Sequence, residues 1–224
     1  MSSTPEQVGQ DPASVSDPPG GPATPRVEIP VPTGEIKLLS ALQRALLAVP
    51  GSTAASLTLS HLGEHALGWM TVAGAGMVLD PGRRGRWAMV GVGTVGAHAV
   101  SVVVKRVVRR RRPDHPAVTV GVGTPSTLSF PSSHATSTTA FALLAGSVSG
   151  APVAPVLIPA MLTSRLALGV HYPSDVLAGA AVGAGCAALT RAIWPTGAVQ
   201  NVLPAVLRDD AAGAGVTQDP EEKR

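Results

Sequence analysis

Lys105, Arg112, His134, Arg165, His171 and Asp175 are the residues whose types and spacing could do chemistry. Three fixed cations, Lys105, Arg112 and Arg165, can neutralise a phosphate dianion and the charge that develops on its equatorial oxygens. Arginine does this with a planar fork, lysine with a compact charge. His171 and Asp175 are four apart, close enough for the carboxylate to hold one imidazole nitrogen and fix the tautomer. The other nitrogen then becomes a nucleophile. His134 opens an apolar run and suits a general acid that protonates a leaving alkoxide. Ser132 and Ser133 stand just before that run, where serines cap a helix whose first-turn N–H groups favour an anion. Two histidines with separate roles, three cations and no carboxylate cluster point away from a metal ion and from any cofactor. The chemistry implied is transfer of a phosphoryl group from a bound ester to His171.

The surrounding composition says where such a site would sit. Hydrophobic residues make up 45% of the 224 and charged residues 14%, against roughly 25% charged in soluble domains. Charge is also segregated. Residues 1–35 hold eight of the 21 prolines and five acids against one base, Arg26. From Arg208 onward there are five acids and three bases. Between these ends lie 13 Lys and Arg but only four acids, Glu64, Asp80, Asp114 and Asp175. Carboxylates in apolar surroundings are costly unless paired, so each of the four calls for a reason. The single cysteine, Cys186, allows no internal disulfide. Residues 1–35 are expected as a disordered, Pro-rich acidic tail and 205–224 as a second disordered tail. The N-terminal stretch has no basic segment followed by an apolar one, so insertion is expected through internal helices within residues 36–204.

The fold expected is all-α, an integral membrane bundle of about five transmembrane helices with an N-terminal interfacial helix. The interfacial helix is read at 36–49, where Ile36, Leu39, Leu42, Leu46 and Val49 form one stripe. The five spans are read at 63–79, 87–105, 134–149, 153–170 and 174–194, several of them short for a bilayer. Gly179 and Gly183 make a small-xxx-small pair suited to close helix packing, and Trp87 and Trp194 suit interfacial anchors. Run up and down, these segments bring Lys105, Arg112, His134, Arg165, His171 and Asp175 to one side of the membrane. Glu64 and His65 open the first span on that same side and are candidates for contact with a substrate head group. His98, two turns before Lys105, reads as a packing residue. Arg109, Arg110 and Arg111 read as a patch for anionic lipid heads. The bases Arg83, Arg84, Arg86 and Arg191 lie on the opposite side, which positive-inside counting places in the cytoplasm, with the site outside.

Three blocks recur in a known order: K-x6-RP (Lys105, Arg112, Pro113), PSSH (Pro131 to His134) and SR-x5-H-x3-D (Ser164, Arg165, His171, Asp175). They resemble the tripartite signature of the type-2 phosphatidic acid phosphatase superfamily. The resemblance implies metal-independent hydrolysis through a phosphohistidine on His171, with His134 as proton donor and Asp175 as partner of His171. It implies Lys105, Arg112, Arg165 and Ser132 as phosphate ligands. Ser133 stands where the family pattern commonly has Gly, and its hydroxyl is read as one more ligand. FPSSHATST and SRLALGVHYPSDVLAGA further resemble actinobacterial enzymes that dephosphorylate decaprenylphosphoryl-5-phosphoribose on the route to the cell-wall arabinose donor. That implies a lipid-linked phosphate as substrate, membrane lipids as surroundings, a bacterial plasma membrane and no nucleic-acid partner. Polyprenyl diphosphate and phosphatidylglycerol phosphate are the alternative substrates. From other classes, a soluble vanadate-dependent haloperoxidase is opposed by the five apolar segments, and a non-enzymatic phosphate-binding membrane protein would not need His171.

Overall fold

The structure, a computed structural model, describes residues 34–194. The two expected tails, apart from residues 34 and 35, lie outside the described residues, as do residues 195–204. Seven α-helices follow one another: α1 (Gly34–Leu47), α2 (Ser52–Gly63), α3 (Leu67–Leu79), α4 (Arg84–Val108), α5 (Ser133–Ser149), α6 (Val153–Ala167) and α7 (Pro173–Ile193). Among the described residues there is no strand, only an isolated antiparallel bridge between Arg111 and Leu128.

Four of the five expected spans coincide with α4, α5, α6 and α7 to within a few residues. The first does not. What reads as one segment from 63 is a helix from 67, preceded by α2, which the sequence analysis leaves unassigned. Its sequence, STAASLTLSHLG, carries too few apolar residues to mark a stripe, yet Ser56, Ser60 and Gly63 are buried and α2 packs against α6. Between α2 and α3 the chain makes a tight helical turn at Glu64–Ala66, with His65 (φ 49°) and Ala66 (φ 61°) left-handed. Non-glycine residues take that conformation at a cost, and such places cluster at functional sites.

Beside its hydrophobic core the bundle buries several hydroxyl side chains and leaves several large apolar ones outside. Thr94, Ser101, Thr136, Ser137, Thr138 and Thr139 are buried, while Val78, Leu79, Val103, Val156, Leu177 and Leu189 are exposed. Pro81–Val108 and Pro173–Ile193 are long and apolar enough to cross a membrane, with mean hydropathies of 1.7 and 1.6. The other expected spans are shorter: α3 has 13 residues, α5 17 and α6 15, against about 20 for a 30 Å hydrocarbon core.

The middle of the bundle is α5, which packs on α4, α6 and α7. Its contact with α7 is set by glycine. A Cβ on Gly183 would run into the Thr136 carbonyl oxygen, and one on Gly179 would lie 2.7 Å from that of Ser132. Backbone cannot yield as a side-chain tip can. Gly183→Ala is therefore expected to destabilise by about 1–3 kcal/mol through overpacking, read as a lower thermal midpoint in detergent; an unchanged midpoint would mean the helices separate freely.

The helix expected at 36–49 is α1, but protein receives its stripe. Ile36 and Leu39 are buried against Val118, Leu166 and Val176. Gln43, also buried, donates to the carbonyls of Thr119 (2.6 Å) and Ala167 (3.0 Å) and accepts from the Thr119 N–H (3.0 Å). Leu38 and Val49 stay exposed. Trp194, expected as an interfacial anchor, belongs instead to the core around Trp69, Phe141 and Leu144. Of the four central acids, Asp80 is paired with Arg83 (2.9 Å) and accepts from the Trp87 indole (3.2 Å).

Candidate active site

His171 sits in the short connection from α6 to α7 and is 2% exposed. Pro173 starts α7, and Asp175 at the third helical position accepts from the Tyr172 N–H (2.8 Å), which ties the carboxylate to the helix start. The same oxygen, Asp175 Oδ2, lies 3.5 Å from His171 Nδ1, an ion-pair separation longer than a good hydrogen bond. On the opposite side of the ring, Arg112 Nη1 lies 3.2 Å from Nε2. A guanidinium can only donate, so Nε2 carries the lone pair and Nδ1 the proton. Burial lowers the His171 pKa to about 4, with Arg112 and Lys105 pushing the same way and Asp175 opposing. The imidazole is therefore neutral at physiological pH.

The cations come from three elements. Lys105 lies in the last turns of α4 and is largely buried. Arg112 follows in the loop, which is held in shape: Arg112 donates to the carbonyls of Ser126 (2.8 Å) and Val170 (2.7 Å), and its N–H to Thr127 (3.1 Å). Arg165, in the last turn of α6, is 2% exposed and donates through Nε to Ser164 Oγ (3.3 Å). Its Nη2 is buried without a hydrogen-bond partner among the described residues. A guanidinium left so is costly unless an anion is its intended partner.

His134 is positioned by α2. Its Nε2 meets the Ser60 carbonyl at 3.0 Å, so that nitrogen donates and Nδ1 is left for other use. The ring also lies against Gly63, where a Cβ would come within 2.7 Å of it. Lys105, Arg112, Ser133, His134, Arg165 and His171 line one cavity of about 470 Å³. Ser132, also expected as a ligand, is fully buried, and its Oγ caps α5 by accepting from the Ala135 N–H (3.4 Å). Of the two serines, Ser133 lines the cavity.

Glu64 and His65 also line this cavity, brought in by the left-handed turn. So does His98, whose ring centroid is 6.1 Å from that of His65. The sequence analysis reads His98 as packing; its distance of two turns from Lys105 was the available signal. The basic run also needs revision at Arg110, which pairs with Asp175 Oδ1 (3.1 Å) and Glu35 Oε2 (2.5 Å) and so is engaged within the protein. Glu35, assigned to the tail, belongs to the first turn of α1. Burial alone would raise its pKa, but hydrogen bonds from Ser174 and Arg110 outweigh this and hold it below the usual carboxylate range.

A helical bundle with a cationic cavity around a neutral, oriented histidine has the layout of a phosphoryl-transfer enzyme. Residues 86–197 match the PAP2 superfamily, to which the chain belongs, and with the phosphatases it resembles below it is a phosphoric monoester hydrolase. It is 52% identical over 162 residues to the decaprenylphosphoryl-5-phosphoribose phosphatase of Mycobacterium tuberculosis, covering 72% of this chain and 92% of that one. The protein of the same name from Mycolicibacterium smegmatis is 54% identical over 148 residues, covering 66% and 82%. Among solved structures, the transmembrane PAP2 type phosphatidylglycerolphosphate phosphatase from Bacillus subtilis shares the fold, with a TM-score of 0.55 and 23% identity over 70% of this chain and 84% of that chain.

Proposed function

We propose that the protein removes the phosphomonoester of decaprenylphosphoryl-5-phosphoribose through a phosphohistidine on His171. The observation that carries the reading is the convergence of the His171 Nε2 lone pair and three cations, one with an unpartnered donor, on a single cavity. The relatives' substrate supplies the choice of lipid.

In this reading the phosphate oxygens bind Lys105, Arg112, Arg165 and the Ser133 hydroxyl. Arg112 shifts from Nε2 to the phosphate, which uncovers the nucleophile. Nε2 then forms a bond to phosphorus as the bond to the sugar oxygen breaks, and the leaving alkoxide takes the Nδ1 proton of a His134 imidazolium whose Nε2–H stays on the Ser60 carbonyl. In the second step water attacks phosphorus and gives a proton to His134 Nδ1 as the P–N bond breaks, which releases phosphate and neutral His171. Asp175 keeps the Nδ1 proton in place and offsets the charge that the imidazole gains. No step calls for a metal ion. Glu64 would repel a phosphate dianion, so its carboxylate is better matched to sugar hydroxyls, with His65 beside it.

The domain proposed for this reaction is residues 36–204 in a bacterial plasma membrane. The outward Val and Leu on α3, α4, α6 and α7 support a lipid-facing belt, and α5, enclosed by its neighbours, need not match the bilayer thickness. The bases Arg83, Arg84, Arg86 and Arg191 favour a cytoplasmic α3–α4 turn and an extracytoplasmic site.

The test is a substrate panel on the purified full-length protein in detergent with EDTA throughout. It compares decaprenylphosphoryl-5-phosphoribose, polyprenyl diphosphate, phosphatidylglycerol phosphate and phosphatidic acid. The expected result is a kcat/KM highest for the first by about tenfold or more, the value of one or two well-placed polar contacts. A preference for another lipid overturns the substrate. Loss of activity in EDTA overturns the mechanism.

A further inference from the structure

Arg110 does something that a lipid-binding patch would not require. Its Nη1 donates to Ser174 Oγ (2.6 Å) and Asp175 Oδ1 (3.1 Å), its Nη2 to Glu35 Oε2 (2.5 Å), and its Cζ lies 4.0 Å from the centre of the Tyr172 ring. Glu35 also accepts from the Ser174 N–H (3.1 Å) and hydroxyl (2.5 Å). The guanidinium is thus held by Ser174 and Glu35 at its edges and by the Tyr172 ring on one face. A fork in that position has a fixed direction, and the remaining direction is Asp175.

Asp175 is fully buried and its two oxygens have separate duties. Oδ2 accepts from the Tyr172 N–H and faces His171 Nδ1; Oδ1 meets Arg110. A buried carboxylate needs a compensating cation, and one without it either turns toward another donor or takes up a proton. Lys105 and Arg112 act on Asp175 only at longer range, through their charge. We infer that Arg110, braced by Glu35 of α1 and by Ser174, is the positioning residue that sets the Asp175 carboxylate and through it the orientation of His171. The inference rests on the reading of His171 as nucleophile. It gives α1 a part in the reaction, since its first turn supplies the brace.

Arg110 touches neither the cavity nor the phosphate ligands, so its loss should reach turnover and leave binding alone. The charged and titratable groups around His171 are Lys105 of α4, Arg112 of the loop, His134 of α5, Arg165 of α6 and Asp175 of α7, and all of them remain in the variant. Without Arg110, more of the Asp175 charge acts on His171, which favours the imidazolium. Neutral His171 is the active form, so activity is lost at a higher pH as the solution is acidified.

The experiment measures kcat, KM and the pH profile of kcat/KM for full-length wild type, R110A, R110K and H171A. R110A is expected to lower kcat roughly 10–100-fold, the usual reach of a group that orients a reacting one, with KM within about threefold. The acid limb should move to higher pH, and R110K should recover part of kcat because its ammonium restores the charge without the fork. Wild-type kcat in R110A, a loss carried by KM alone, or an unmoved acid limb overturns the inference. Should R110A fail to fold, R110K decides: reduced kcat at unchanged KM supports it and wild-type kcat overturns it. Activity in H171A would sink the underlying reading instead; an inactive H171A beside a fully active R110A would sink only this one.

Discussion

His171→Ala is expected to abolish turnover, with a loss of ~10⁴-fold or more, the scale seen when a covalent nucleophile is removed. The substitution takes away the one imidazole whose lone pair faces the cavity and leaves Lys105, Arg112 and Arg165 where they are. Binding should therefore survive. Inorganic phosphate should still displace substrate, and Arg112 should be free to bind it more fully once Nε2 is gone. Turnover and binding separate only if His171 acts on phosphorus. The companion measurement is a phosphoenzyme trap: wild type quenched in alkali after brief exposure to labelled substrate should retain label on histidine, and H171A should retain none. Hydrolysis that persists in H171A without trapped label would mean that water attacks phosphorus directly. Intact biological function in the variant would mean that the phosphate site serves binding alone.

The parts of this site that could be read from the sequence are those fixed by local spacing. A histidine and an aspartate four apart at a Pro-initiated helix must lie close together, and α7 puts them 3.5 Å apart. A basic residue closing an apolar run falls at the end of the helix that the run forms, as Lys105 does in the last turns of α4. What could not be read depends on contacts between distant segments. Glu35 and Ser174 are 139 positions apart and meet only because α1 lies along α6 and α7. From composition, Glu35 is one more acid in an acidic stretch, and Arg110 one of four consecutive arginines. Helix α2 was hidden for a different reason. Its buried face is made of Ser and Gly, which carry no hydrophobic signal although they permit close packing. Ser132 could not be read either, because a serine before a helix has two possible uses, cap or ligand, and the sequence does not show the cap that its Oγ makes.

The same packing explains why the reaction's polar residues tolerate apolar surroundings. Each of the two paired central acids is answered by a nearby arginine, Asp80 by Arg83 and Asp175 by Arg110. The cations that face the cavity are not answered within the protein to the same degree, and Arg165 keeps a buried, unpartnered Nη2. Stability here is given up locally in favour of a site suited to an anion, a pattern common where binding must be strong at the reacting group.

Asp175→Asn is the second large effect, an expected fall in kcat of about 10³–10⁴-fold with little change in KM. The volume is conserved, so the loss comes from hydrogen-bond polarity. Two donors bond to Asp175, the Tyr172 N–H and the Arg110 guanidinium, and His171 Nδ1 faces it at 3.5 Å. A carboxylate suits all three, whereas an asparagine replaces one oxygen with an NH₂ that opposes one of them whichever way it is turned. If the amide turns its NH₂ to His171, the imidazole must accept at Nδ1 and carry its proton on Nε2. The nitrogen facing phosphorus is then no longer a nucleophile, and it also opposes Arg112. If the NH₂ turns to Arg110, a partly buried guanidinium loses its anionic partner, and the protein should lose about 1–3 kcal/mol of stability. Both routes leave Lys105, Arg112 and Arg165 able to bind phosphate, which is why KM should hold while kcat falls. Steady-state kinetics with a thermal midpoint for the same sample distinguishes them: a normal midpoint with collapsed kcat indicates the wrong tautomer, and a lowered midpoint adds the broken pair with Arg110. Should D175N keep kcat within tenfold of wild type, Asp175 would be a structural anchor for the start of α7, and the proton on Nδ1 would need no carboxylate to hold it.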